Sequence, residues 1–282
     1  MNIKNVGVIG AGTMGSGIAS VIAMAGYNVF VVDVMQSFLD RAKSVVEKNI
    51  SKSFEKGIIS ENQHKAALEN LIFSTEFEVL ENADLVIEAV SEDMDIKKKV
   101  IEQLNQYLSD EAIVASNTSA LKISDLALFY KKPERVLGMH FFNPAVLMKL
   151  VELIKTDMTS VEVFELTKKF VIDIKKEPVE VKESWGFVVN RALIPMINEA
   201  ACIYEEGVSS VEDIDKAMKL GANHPIGPLA LADLIGIDIC VAIMETLQRG
   251  FNSNKYKPAS IMLNMIKEGK LGKKSGEGFY KY

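Results

Sequence analysis

Three histidines occur in the chain, and His140 is the one whose surroundings point to chemistry. It lies in Val136-Leu137-Gly138-Met139-His140-Phe141-Phe142-Asn143-Pro144, an apolar run that predicts a strand, near its carboxyl end. An imidazole titrates near neutrality, which suits it to take a proton from a hydroxyl group. The plainer reading of His140 is a hydrogen-bonded core histidine. His64 falls in a polar helical stretch and reads as solvated, while His224 precedes Pro225 in a turn and reads as structural. Glu152 is the second reactive candidate. It sits between Leu150 and Ile154 on one face of an alternating strand, where burying an unpaired carboxylate is costly. Its position, twelve residues after His140, leaves room for the chain to turn and return antiparallel. A carboxylate bonded to the imidazole would fix its tautomer and stabilise its protonated form. An edge strand with Glu152 in water is the competing reading. Ser119 and Asn190 could each donate to an oxygen that gains charge. A turn hydroxyl and a helix cap are their plainer readings.

These side chains need a frame, and the first thirty residues supply one. Ile3 to Ile9 is a short apolar run, followed by Gly10-Ala11-Gly12-Thr13-Met14-Gly15, a helical pattern closed by Gly26, and a second apolar run ending in Asp33. Strand, glycine turn, helix, strand and acid in that order predict a dinucleotide site. Gly10 permits the tight turn, Gly12 lets backbone approach a pyrophosphate, and Gly15 lets the helix pack on the strand. The amides at the helix start would face the phosphates. Asp33 could accept from both adenosine ribose hydroxyls and would repel a 2′-phosphate, so NAD is expected over NADP. A lone glycine motif is often only a flexible turn; its flanking elements give this one its weight.

Further strands are expected at 71–74, 85–90, 112–116 and 136–144, alternating with helices. Such alternation predicts an α/β fold with a doubly wound, Rossmann-like parallel sheet. Ligands bind beyond the carboxyl ends of strands in such sheets, where Glu92, Ser119, His140 and Asn143 all fall. A helix at 160–172 and a strand at 174–181 follow. Beyond Glu183-Ser184-Trp185-Gly186 the pattern is helical throughout, with Gly and Pro breaks, so domains are expected at 1–184 and 185–282. The helix after Asp33 carries Lys48, Lys52 and Lys56 on one face; a solvated face is the plainer reading. A net charge of −6 argues against a nucleic-acid surface. The two cysteines, Cys202 and Cys240, have no ligand-like spacing and read as small buried hydrophobes in a reducing compartment. No metal site, membrane span or targeting segment is expected, and the location expected is cytoplasmic.

Taken together these segments resemble the 3-hydroxyacyl-CoA dehydrogenase family, and within it the short-chain bacterial 3-hydroxybutyryl-CoA dehydrogenases. The likeness runs through Val8 to Gly15, Glu88-Ala89-Val90-Ser91-Glu92, Ser116-Asn117-Thr118-Ser119, Gly138 to Pro144, Lys149-Leu150-Val151-Glu152 and Gly186-Phe187-Val188-Val189-Asn190-Arg191. It continues in Asp213-Ile214-Asp215, Gly227-Pro228 and Gly276-Glu277-Gly278-Phe279-Tyr280. By resemblance His140 is the general base and Glu152 its partner, with Ser119 and Asn190 bonding the substrate. Gly10 to Gly15, Asp33, Glu92, Lys97, Ser119, Asn143 and Lys274 match contacts to NAD. The lysine stripe matches the coenzyme A region, with Lys52 and Lys56 the chosen contacts and Lys48 left open. The resemblance implies interconversion of (S)-3-hydroxybutanoyl-CoA and acetoacetyl-CoA, or of other 3-hydroxyacyl-CoA and 3-ketoacyl-CoA pairs. It also implies a helical domain that binds substrate and forms a homodimer or larger homo-oligomer. Two other readings stay open: a dehydrogenase of a hydroxy acid lacking CoA, and a non-catalytic NAD-binding protein of the crystallin kind.

Overall fold

The apolar runs pair into one sheet. In the computed structural model, which describes residues 2–282, the strands are β1 (Asn5–Ile9), β2 (Asn28–Val32), β3 (Leu71–Ser74), β4 (Leu85–Glu88), β5 (Ile113–Ser116), β6 (Val136–Phe141), β7 (Leu150–Lys155) and β8 (Glu177–Lys182). Their order is β3-β2-β1-β4-β5-β6-β7-β8. Every residue of β4, β5 and β6 is buried, as continuous apolar strands covered on both faces must be. Between the strands run α1 (Thr13–Met24), α2 (Gln36–Glu55), α3 (Glu61–Glu69), α4 (Met94–Tyr107), the short α5 (Ile123–Ala127) and α6 (Val161–Asp173). Helix α1 buries Gly15 to Ala23 without a break, which suits its apolar composition on all sides.

The sheet departs from all-parallel at one place. β7 runs antiparallel to β6, and β8 then lies parallel to β7 outside it. β8 also starts later than its composition predicts, because Lys175 takes a left-handed conformation (φ 62°) and turns the chain after α6. Likewise the apolar run at 85–90 leaves the sheet after Glu88.

The chain divides into two compact units, the first ending at Ser184 and the second Trp185–Tyr282. The second holds five helices: α7 (Val189–Glu205), α8 (Val211–Gly221), α9 (Pro228–Ile235), α10 (Ile237–Phe251) and α11 (Ser260–Lys267). Two buried carboxylates organise it. Asp215 accepts from Leu229 N and Ala230 N (2.8 and 2.9 Å), capping α9, and from the Tyr280 hydroxyl at 2.9 Å. Asp233 accepts from Phe279 N, Tyr280 N and the Tyr282 hydroxyl (2.9, 2.8 and 3.2 Å). Gly227 and Gly278 are explained by the same carboxylates, since an added Cβ would stand 2.1 Å from Asp215 Cγ and 2.0 Å from Asp233 Oδ1 respectively. Burial pushes the Asp233 carboxyl above its ordinary range despite these donors. The folded unit therefore holds that proton more tightly than the unfolded chain. Its stabilising effect is complete below the unfolded pKa and is lost as pH rises through the folded one. Asp233→Asn, which turns an amide toward backbone N–H groups, should cost about 1–3 kcal/mol. Thermal unfolding would show it as a lower midpoint with this part of the acid-range pH dependence gone.

Candidate active site

The antiparallel pairing of β6 with β7 sets His140 directly opposite Glu152 in register. The imidazole Nδ1 and the Glu152 Oε2 are 2.8 Å apart. Glu152 is fully buried and His140 is 6% exposed. Because β8 covers β7, Glu152 is not on an edge strand, and the solvated reading of it is excluded. With the carboxylate accepting from Nδ1–H, Nε2 is left with its lone pair and can act as a base. The ring of Phe142 lies against the imidazole, 4.4 Å between centroids. It restricts the ring's motion and part of its access to water.

β5 lies parallel beside β6, with Ser116 level with Gly138. The loop beyond Ser116 carries Ser119 and is held at several points. Asn117 Oδ1 accepts from Phe141 N at 2.8 Å, which ties this loop to the strand of His140. Glu92 Oε1 accepts from Thr118 Oγ1 (2.6 Å), Ser119 N (2.8 Å), Ala120 N (3.0 Å) and Ser119 Oγ (3.2 Å). Beneath it Lys97, 1% exposed, places its ammonium 2.8 Å from Glu88 and 3.3 Å from Glu92. Glu88, fully buried, also accepts from Ser116 Oγ (2.6 Å) and Val90 N (2.7 Å). Lys97 thus lies under the surface and reaches the Ser119 loop through Glu92. Replacing it by Met would leave two close carboxylates without their shared cation, at a cost of about 3–5 kcal/mol. A thermal-unfolding midpoint within a degree or two of wild type would contradict this account.

The glycine turn fits a dinucleotide. Gly10 adopts φ 99°, and a Cβ on Gly15 would stand 1.8 Å from the Gly10 carbonyl oxygen, so neither position tolerates a side chain. A Cβ on Gly12 would meet nothing within 4 Å, leaving open the place where a pyrophosphate would approach. Asp33 Oδ2 accepts from Ala11 N at 2.8 Å, so the acid also braces the turn. A cavity of about 360 Å³ lies here, with Gly10, Gly12 and Asp33 on one side and Val34, Phe38 and Ile96 on another. A carboxylate for a ribose beside apolar walls for a base is a fitting set of surfaces for adenosine.

Of the lysine stripe, Lys52 and Lys56 line a different cavity of about 410 Å³, together with Asn49, Asn143, Ala145 and Leu147. Lys48 is not among its lining residues. Lys274 Nζ bonds Asp238 at 2.7 Å within the second unit. Asn190 lies inside the first turn of α7, whose cap position is Val188, so helix capping is not its role. His64 differs from expectation: it is half-buried and stacks on Phe54 at 5.0 Å, drawn there by the apolar side of α2. Cys240 is buried and Cys202 half-buried, neither in a disulfide, and burial raises both thiols. Among the described residues no cluster of His, Cys, Asp or Glu could hold a metal ion. Among the described residues no helix is long and apolar enough to cross a membrane.

Sequence reasoning missed Glu88, Asn117 and Phe142. Glu88 carried a signal, since a carboxylate closing a buried apolar strand needs partners for the same reason Glu152 does.

Comparison with known proteins identifies the family. The model for the 3-hydroxyacyl-CoA dehydrogenase NAD binding domain matches residues 5–184, and that for the family's C-terminal domain matches 186–282. A 3-hydroxybutyryl-CoA dehydrogenase of Clostridioides difficile is 46% identical over 275 residues, 98% of each chain. The mitochondrial hydroxyacyl-coenzyme A dehydrogenase of Rattus norvegicus is 41% identical, covering 99% of this chain and 91% of its own. The crystal structure of an (S)-3-hydroxybutyryl-CoA dehydrogenase from Ralstonia eutropha superposes with a TM-score of 0.96 at 44% identity, over 100% of this chain and 99% of that one. With both halves of the family's domain pair matched end to end, the chain belongs to the 3-hydroxyacyl-CoA dehydrogenase family, whose members are NAD-dependent oxidoreductases.

Proposed function

We propose that this enzyme interconverts (S)-3-hydroxybutanoyl-CoA and acetoacetyl-CoA. The observation that carries the chemistry is the buried His140–Glu152 pair, 2.8 Å apart, on the sheet that also carries the dinucleotide turn. Bound NAD supplies the acceptor for the hydride that leaves C3. In that direction His140 Nε2 takes the hydroxyl proton, and Glu152 stabilises the imidazolium that results. Ser119 and Asn190 donate to substrate oxygens, the Ser119 hydroxyl turning its one proton from Glu92 to the substrate while Ser119 N keeps its bond to that carboxylate. Lys52 and Lys56 offer cations to the phosphates of coenzyme A from the wall of their cavity. Asp33 selects NAD over NADP through its negative charge at the ribose. Glu92 and Lys97 serve the cofactor end by shaping the loop between Ser116 and Ala120, and Asn143 and Lys274 are assigned to the cofactor by family position. The second unit binds substrate and joins copies of the chain into a homodimer or larger homo-oligomer, and the enzyme works in the cytoplasm.

The test is NADH consumption with acetoacetyl-CoA, compared with acetoacetate, with a longer 3-ketoacyl-CoA and with NADPH as donor. Rapid oxidation of NADH with the CoA thioester and little with the free acid is the expected result. Equal rates with the free acid would remove the coenzyme A assignment.

A further inference from the structure

One buried cation takes no part in the chemistry above. Lys176 follows the left-handed Lys175, which turns the chain after α6, and the residue is 7% exposed. Its ammonium donates to Ala145 O at 2.6 Å and to Met148 O at 2.7 Å. Among the described residues it has no carboxylate partner. Burial disfavours its charge and lowers its pKa. A buried ammonium resting on carbonyls alone is costly to keep unless the carbonyls matter.

Those carbonyls belong to a single helical turn. Leu147 N and Met148 N both donate to Pro144 O, at 2.9 and 3.0 Å. The turn bridges β6, which carries His140, and β7, which carries Glu152. On one side Ala145 packs on α1, where a Cβ added to Gly17 would be 3.1 Å from the Ala145 Cβ. Pro144 to Leu147 form part of the wall of the 410 Å³ cavity that holds Lys52 and Lys56. Val146 and Leu147 also border a further cavity of about 470 Å³, to which Lys176 itself contributes. The turn is therefore a partition with space on both sides. Ala145 anchors it in the core against α1, and the ammonium adds a second hold by taking two of its carbonyls, Ala145 O and Met148 O.

We propose that Lys176 is a positioning residue for substrate binding: it clamps the 144–148 turn, and so sets the wall against which coenzyme A lies. This rests on the acyl-CoA reading of the cavity. Lys176→Met keeps the length of the side chain, removes both hydrogen bonds and relieves the buried charge, so the fold should survive. Loss of two charge-assisted hydrogen bonds that hold the wall predicts a rise in KM for acetoacetyl-CoA of about tenfold or more. KM for NADH and kcat should stay within about twofold, because the glycine turn and the His140–Glu152 pair are untouched. Lys176→Arg, which can still donate twice, should recover most of the loss. Hydrogen exchange at the Leu147 and Met148 amides should quicken in the Met variant. An unchanged KM, an equal fall in every kinetic constant, or unchanged exchange at those amides would each overturn the proposal. If wild-type enzyme showed no preference for acetoacetyl-CoA over its N-acetylcysteamine thioester, the coenzyme A reading would fall instead. The exchange measurement would then still decide the clamp.

Discussion

His140→Asn is expected to lower kcat by about 10²–10⁴-fold, the usual contribution of a positioned general base. Asn is the informative replacement. Its amide nitrogen stands where Nδ1 stood and can still donate to Glu152, whereas Ala would take that donor away from a fully buried carboxylate. A lost buried partner costs about 3–5 kcal/mol, which would mix a folding defect into the kinetic result. The Asn variant should unfold close to the wild-type temperature and bind NADH with unchanged affinity, because Gly10, Gly12 and Asp33 are not disturbed. Turnover is read from NADH absorbance with acetoacetyl-CoA at saturation. A variant within about tenfold of wild type would mean that His140 is not the base.

How much of this site was readable beforehand depended on whether a residue's partner was also marked in sequence. Glu152 sits in an apolar alternation, His140 ends an apolar run, and twelve residues separate them; cost of burial and chain length together pointed to a pair. That β7 is an inner strand was not readable, because its cover, β8, is mostly exposed and has no strong alternation of its own. Lys97 shows a different limit. It opens the run Lys97-Lys98-Lys99 on an amphipathic helix, and a lysine run gives no sign of which member turns inward. Only the rotation of α4 against β4 points Lys97 at Glu88. Lys176 is hidden in the same way beside the exposed Lys175. The helical unit was legible in its helices and their breaks, since Gly207, Gly236 and Gly269 take positive φ where the pattern stops. Its internal order was not, because Asp215 and Asp233 bond groups 14 and 46 or more residues away.

Replacing Glu152 by Gln tests the second half of the pair, and its size is diagnostic. The side chain keeps its volume, so packing between β6 and β8 should hold and the unfolding temperature should change little. Two arrangements of the amide are available. If its NH₂ faces the imidazole, Nδ1 must accept, the ring proton moves to Nε2, and the atom that should take the substrate proton already carries one. An equivalent carboxylate-to-amide change in a serine protease triad costs about 10⁴-fold. If the amide oxygen faces Nδ1–H instead, the tautomer is preserved, and only the charge opposite the imidazolium is lost. A neutral acceptor in place of a charged one is worth about 1–2 kcal/mol, or roughly five- to thirtyfold in kcat. The 0% exposure of Glu152 leaves no water to compensate in either case. Either loss should appear in kcat with KM for NADH preserved, and its magnitude identifies which amide atom meets the ring. A Glu152→Gln enzyme with kcat within about threefold of wild type would reduce the carboxylate to a packing role, whatever its distance from His140.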